Sequence, residues 1–180
     1  MEFFVYHRDR PGSGALRDQM LEDHWSYMDR FQTRMIARGP TLTPDGETAT
    51  GSVHIVDLAS PAEARAFAFD EPTYQAGVYR DVLLRRWRNV LGRTMWEFPA
   101  GRVESDGYLV IGLGPVAAVG PPPAFDGLIA YGPLLSDRGD PEIGVAALLQ
   151  APFAVAGAVL PPDDYAAVEV HHWASGGRPS

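Results

Sequence analysis

The sequence predicts an α+β fold: a ferredoxin-like βαββαβ sandwich, duplicated within one chain, whose second copy lacks its first long helix. Two observations carry this. Element signals in residues 1–90 run strand, helix, strand, strand, helix, strand. The same order of short motifs then returns in the second half, as a duplication would leave it. Met35-Ile36-Ala37-Arg38-Gly39-Pro40, a turn at Thr43-Pro44-Asp45-Gly46 and an apolar run from Val53 to Leu58 are answered by Leu128-Ile129-Ala130-Tyr131-Gly132-Pro133, a turn at Ser136-Asp137-Arg138-Gly139 and a run from Val145 to Leu149. Asp70-Glu71-Pro72-Thr73-Tyr74 is answered by Pro161-Pro162-Asp163-Asp164-Tyr165, and Leu84-Arg85-Arg86-Trp87 by Val170-His171-His172-Trp173.

Taken in order, Glu2 to His7 is aromatic and branched and ends in the polar stretch Arg8 to Gly14, the pattern of a strand and its exit loop. From Ser13, a good cap, to about Ala37, apolar residues recur at Leu16, Met20, Tyr27, Met28, Phe31 and Met35, so the longest helix is expected there. Its last turn should yield to a short strand before Gly39-Pro40, because a residue preceding proline is pushed out of helical geometry. The turn at Pro44-Asp45-Gly46 reverses the chain into a strand, Ser52 to Leu58. Ser60-Pro61-Ala62-Glu63 combines cap, first-turn proline and an acid three residues on, which starts a helix running to about Phe69. Asp70-Glu71-Pro72 interrupts it, and Tyr79 to Trp87 closes the first half as a strand. Beyond the linker, strands are expected at Tyr108 to Leu113, Leu128 to Tyr131, Ile143 to Leu149 and Ala166 to Trp173, with a helix at about Pro152 to Leu160. Gly114 to Gly127 contains Pro121-Pro122-Pro123 and cannot be a long helix. The division expected is therefore 1–90 for the first unit, 91–106 for the linker, 107–174 for the degenerate repeat and 175–180 for a loose tail.

Composition narrows the function classes. A hydrophobic content of 46% can build a core, and a net charge of −8 with fifteen arginines and no lysine disfavours nucleic acid as a partner while leaving arginines free to grip a small anion. The absence of cysteine excludes disulfides, thiolate metal sites and cysteine nucleophiles. Neither a signal peptide nor a membrane-spanning run is legible, so a cytoplasmic location with no membrane partner is expected. His171 and His172 are adjacent on a strand, hence on opposite faces, and cannot hold one ion together; no metal is expected. Gly112-Leu113-Gly114 lacks the third glycine and the helix of a dinucleotide site, and no cofactor is expected.

One side chain stands out as chemistry. At about 100° per residue, His24 falls within the stripe of Leu16, Met20, Phe31 and Met35 and should face the sheet, with Arg17 seven residues earlier on nearly the same side. An imidazole in apolar surroundings, steered by a carboxylate, suits a general base. Asp70 has a local role as cap of the short turn Thr73 to Gly77. Tyr6 and His7, His54 and Tyr79 lie on strands flanking the same space; Val53 and Ile55 take one face and His54, Val56 and Leu58 the other, with His54 read as a sheet-surface or interface residue. Arg8 and Arg10 leave the first strand near the start of the helix and could assist Arg17 with a carboxylate.

Arg17, His24, Gly39-Pro40, Asp70-Glu71-Pro72 with Tyr74, Ala76-Gly77-Val78-Tyr79 and the closing strand together resemble the YCII-related family of the dimeric α/β-barrel superfamily, over roughly residues 2 to 90. The resemblance implies two ferredoxin-like units packed sheet to sheet, here a single-chain pseudo-dimeric α/β barrel. It also implies that His24 and Asp70 are the catalytic pair. A dehydrochlorinase-type lyase is among the family's members. The second half has no equivalent of Arg17 or His24.

The expected function is a cofactor-independent acid/base enzyme of lyase, dehydratase, isomerase or cyclase type, acting on a small anionic or enolisable metabolite of the kind found in secondary metabolism. His24 would move the proton, Asp70 orient it, and Arg17, Tyr6, Arg8 and Tyr79 bind substrate. The alternatives are a non-catalytic module that binds a small molecule or docks a partner, and a cofactor-free monooxygenase. A homodimer assembled over the internal pseudo-dimer is the other assembly the pattern allows.

Overall fold

The computed structural model describes residues 1–99, 106–114, 121–139 and 141–178. Eight strands form one closed barrel in the order β1-β3-β2-β8-β5-β7-β6-β4. They are β1 (Glu2–Asp9), β2 (Met35–Leu42), β3 (Ala49–Asp57), β4 (Tyr79–Trp87), β5 (Gly107–Leu113), β6 (Leu128–Leu135), β7 (Glu142–Gln150) and β8 (Ala167–Trp173). Helices α1 (Gly14–Gln19), α2 (Leu21–Asp29), α3 (Pro61–Phe69) and α4 (Pro72–Gln75) cover the first half, and among the described residues only the short α5 (Phe153–Ala156) belongs to the second.

The duplication is visible in the pairing. The first half reads β4-β1-β3-β2 and the second β8-β5-β7-β6, so each strand has its counterpart four strands later, all pairs antiparallel. The two halves join edge to edge through equivalent short ladders, Thr41 opposite Trp173 and Trp87 opposite Leu134. Closing the sheet leaves no unpaired edge among the described strands. At both junctions a glycine lies against another strand's exit: a Cβ on Gly39 would stand 1.9 Å from the Ala174 carbonyl oxygen, and one on Gly132 would stand 1.8 Å from that of Arg88. The motif Ile-Ala-X-Gly-Pro recurs in the sequence because both closures need that close approach.

Strand alternation then sorts the side chains into layers. Phe4, Tyr6, Val53, Ile55, Trp87, Leu109, Ile111, Leu148 and Trp173 fill the barrel interior. Phe3, Val5 and Val56 point outward and pack with Met28, Met35, Leu58 and Phe67 under the helices of the first half. Tyr108, Val110, Val145, Ala147 and Leu149 do the same on the second half against Ala156, Val159 and Leu160.

Several expected elements change. The single long helix is two, α1 and α2, ending at Asp29, followed by a 3-10 turn at Gln32–Arg34. Met35 belongs to the apolar stripe but pairs in β2 with Val56, so strand pairing overrides helical periodicity there. Gly39-Pro40 lies inside β2 rather than after a short strand. The expected helix at Pro152 to Leu160 is a single turn, with Val159 and Leu160 packing as loop. Residues 175–178 are not loose: Gly176 N–H donates to the Arg38 carbonyl at 3.1 Å, extending the contact of β8 with β2. Residues 100–105 of the expected linker, 115–120 of the prolyl crossing and 179–180 of the tail lie outside the described residues. Among the described residues, no helix is long and apolar enough to cross a membrane.

Candidate active site

The outward face of β1 and β3, the inner sides of α1 and α2 and the start of α4 enclose a polar cluster in an otherwise apolar layer. His24 leaves the middle of α2 and its Nδ1 lies 2.9 Å from Oε1 of Glu71, whose side chain is wholly buried. Glu71 is there because of the proline after it. Pro72 opens α4, Glu71 takes the extended N-cap conformation that precedes a proline, and its Oε2 accepts the Tyr74 N–H at 2.7 Å. One oxygen caps the helix and the other faces His24.

The electrostatics fix the roles. Burial pushes the Glu71 carboxyl upward, but the hydrogen bond and charge of His24, with backbone donation at the start of α4, outweigh it and hold the group below its ordinary value. An ionised carboxylate only accepts, so Nδ1 of His24 carries the proton and Nε2 is left to act. His54 lies beside it with ring centroids 5.6 Å apart, and His7 stands 6.2 Å beyond His54. Burial holds both neutral: His7 falls to about 4 despite its 2.8 Å contact with the Ala68 carbonyl, and His54 falls well below 6.5. Both keep an Nδ1 without a partner among the described residues.

Arg17 reaches the cluster from α1, but its donors are committed. Nη1 meets both oxygens of Asp9 at 2.8 and 3.1 Å, and Nη2 donates to Ser52 Oγ at 2.7 Å and to the Gly51 carbonyl. Burial raises Asp9 to about 6 against the pull of Arg17. Tyr79 is buried behind the cluster, its ring 4.6 Å from that of His7 and its hydroxyl 3.5 Å from Ser52 Oγ. Burial raises its phenol well above the ordinary value, so it serves as a neutral hydroxyl.

A cavity of about 400 Å³ opens onto His24 and His54, walled by Trp25, Met28, Arg38 and Pro40 among others. Arg38 is the cation that sequence reasoning missed. Its Nε donates to the Gly176 carbonyl at 3.2 Å, and no carboxylate pairs with it among the described residues. Its signal was its place one residue before Gly39-Pro40, on a strand beside the His24 helix.

Not every expected site residue is here. Asp70 is exposed at the end of α3, where its N–H donates to Ala66 and its side chain borders a surface groove with Tyr27 and Arg34; the acid at His24 is Glu71. Tyr6 and Arg8 point the other way, into the barrel. Arg8 donates from Nη2 to both oxygens of Glu169 at 3.1 and 3.0 Å and from Nη1 to Asp81 at 2.9 Å, and it lies 4.7 Å over the Tyr6 ring. His171 adds an Nε2 contact of 2.9 Å to Glu169, while His172 turns outward against Tyr108. His54, expected as a sheet-surface or interface residue, lies on the outward face of the sheet and is buried there against His24 of α2.

This arrangement sits within a recognisable domain. Residues 1–88 match the model of the YCII-related domain. The N-terminal half is a YCII-related domain. Half of the chain matches an uncharacterised protein of Haemophilus influenzae at 27% identity over 97 residues, covering 99% of that protein. Over 49% of this chain and 94% of the other, the YCII-related half aligns at 30% identity and a TM-score of 0.46 with 5-chloro-2-hydroxyhydroquinone dehydrochlorinase from Burkholderia phenoliruptrix AC1100, solved with 2,5-dihydroxybenzoquinone. The whole barrel is similar to a mutant chlorite dismutase from Candidatus Nitrospira defluvii, with a TM-score of 0.59 at 8% identity over 97% of this chain and 91% of that one. It is also similar to a monooxygenase-like protein of Lactobacillus acidophilus NCFM, described as putative, with a TM-score of 0.52 at 7% identity over 98% and 96%. The YCII-related half and its degenerate copy thus form the dimeric α/β-barrel fold within one chain, a fold shared with small-molecule enzymes.

Proposed function

We propose that the protein is a cofactor-independent acid/base enzyme that moves a proton on a small anionic or enolisable metabolite, in a reaction of the elimination, dehydration or isomerisation type. The observation that carries this reading is the contact of His24 with the buried carboxylate of Glu71 beside a cavity. Glu71 fixes the imidazole's tautomer and balances the charge it gains, so Nε2 takes a proton from substrate and returns it. Arg38 supplies the uncompensated positive charge for a carboxylate or a developing enolate, because Arg17 is already neutralised by Asp9. Arg17 instead holds Ser52 and Asp9 in place. His54, kept neutral by burial, offers a hydrogen bond without competing for the proton.

The test is exchange of carbon-bound hydrogen in D2O across a panel of 2-oxo and hydroxylated carboxylic acids, followed by proton NMR. The reading expects at least one acid to exchange faster with the native protein than with His24→Ala, while binding shifts at Trp25 persist in the variant. Equal exchange by both proteins across acids that bind would refute it.

A further inference from the structure

The cavity at His24 belongs to the first half of the chain, but one of its walls comes from the far end. After β8 the chain follows β2: Ala174 N–H donates to the Pro40 carbonyl at 3.1 Å, Gly176 N–H to that of Arg38 at 3.1 Å, and Arg38 Nε returns a bond to Gly176. The contact is backbone on backbone, since a Cβ on Gly176 would stand 2.8 Å from the Gly39 Cα. Gly177, the last residue of the segment to wall the cavity, then turns at φ +153°, where a Cβ would meet the Arg38 guanidinium, and this carries Arg178 to α2. There Arg178 Nη1 takes both oxygens of Glu22 at 2.8 and 2.9 Å, its Nε reaches Asp29 at 3.3 Å, and its guanidinium lies 5.5 Å over the Trp25 ring. Trp25 also walls the His24 cavity, while Glu22 and Asp29 lie on the solvent side of the same helix.

The same segment borders a second hollow. Arg38 and residues 175–177 line both the His24 cavity and a neighbouring cleft of about 730 Å³ containing Trp96, Phe98 and Trp173. The segment is the partition between them.

We propose that residues 174–178 form a strap that completes the His24 site, with Arg178 as a latch on α2 that gates entry of the ligand. This rests on the reading that the His24 cavity is the working site. The strength of the two ends supports a gate over a fixed wall. The backbone part is held by two main-chain hydrogen bonds that continue the β8–β2 pairing, whereas the Arg178, Glu22 and Asp29 side chains are 40%, 67% and 39% exposed, and exposed ion pairs contribute little net stability and weaken with salt. The latch can therefore open while the barrel stays closed. With the strap shut, the ligand held at His24 is limited to a compact molecule; with Gly177 and Arg178 swung away, Arg38 and the neighbouring cleft become continuous with it. The strap lies outside the stretch that matches the YCII-related domain, so it is an addition of the second half to the site in the first.

The experiment reads access to His24 without needing a substrate. Native protein, Arg178→Ala and the double variant Glu22→Gln/Asp29→Asn are treated with diethyl pyrocarbonate at one pH and low salt, and carbethoxylation of each histidine is followed by peptide mass spectrometry. Removing the arginine and removing the acids change the local charge in opposite senses, yet both undo the latch. The strap predicts that His24 is modified about three- to fivefold faster in both variants, with the rates at His171 and His172 unchanged, and that raised salt brings the native rate up to that of the variants. Rates at His24 that stay unchanged, or that move in opposite directions in the two variants, overturn the gate. Because the readout is chemical access, loss of catalysis in His24→Ala and loss of gating in Arg178→Ala are separate results.

Discussion

His24 and Glu71, 47 residues apart in sequence, meet at 2.9 Å, with the carboxylate wholly buried and the imidazole at the edge of a cavity. The neighbouring acid, Asp70, points to solvent.

This pairing separates two adjacent carboxylates by experiment. Glu71→Gln keeps the shape and the helix cap but removes the charge that balances His24, so turnover should fall by roughly 10²- to 10⁴-fold, the usual reach of positioned acid/base catalysis. Asp70→Asn should change turnover and stability only within the scatter of surface substitutions, about 0.5 kcal/mol. Steady-state kinetics and urea unfolding of both variants check this.

The architecture was legible because the strands carry their own signals. Tyr79–Trp87 and the helix Pro61–Phe69 follow from alternation and from a cap with a first-turn proline, and the repeat itself follows from motifs that the two barrel closures require. The candidate histidine, His24, was legible as a polar residue inside an apolar stripe. Its partner was not, because the resemblance pointed to the adjacent acid, Asp70; Pro72 is the signal for Glu71, since a proline at the first helical position makes the residue before it the cap. Tyr6 and Arg8 were misplaced for want of one fact, which face of β1 meets the helices, and a one-residue step along a strand reverses the face. Arg17 looked free in sequence because Asp9 and Ser52 lie on strands that only the fold brings to it.

The buried histidines should make stability depend on pH. His7 has an ordinary value of 6.5 and is lowered to about 4 in the folded state, so between those values the unfolded chain binds the extra proton; stability from this group is present above pH 6.5 and is lost as the pH falls toward 4. The loss is on the order of 3 kcal/mol. Asp9, raised to about 6, acts in the opposite sense over part of that range. Comparing native protein with His7→Gln cancels the Asp9 contribution, and the native advantage at pH 7 should shrink by pH 4.5 in urea unfolding.

Arg8 and Glu169 tie the first half to the second inside the barrel, away from the His24 cavity. A double-mutant cycle with Arg8→Ala and Glu169→Ala should give a coupling of about 1–2 kcal/mol with His24-dependent turnover retained. Glu169 is lowered to about 2 by the His171 hydrogen bond and Arg8, so the stability it brings is present above its ordinary 4.5 and fades as pH falls toward 2.

The glycines at the two closures should be equivalent in energy as they are in position. Gly39→Ala and Gly132→Ala each drive a methyl group into a carbonyl of the opposing half, and backbone cannot yield as a side chain can. Both variants should lose at least the roughly 1–3 kcal/mol typical of overpacking, read as a lowered urea midpoint, while alanine at the exposed Gly14, where a Cβ meets nothing, should be tolerated.

The most direct test of the central claim sets native protein, His24→Ala, Glu71→Gln and Asp70→Asn side by side in solvent hydrogen exchange on an acid that the native protein binds. The account predicts native and Asp70→Asn nearly equal, Glu71→Gln strongly reduced and His24→Ala without activity. An active His24→Ala, or a loss in Asp70→Asn that matches that in Glu71→Gln, would contradict it.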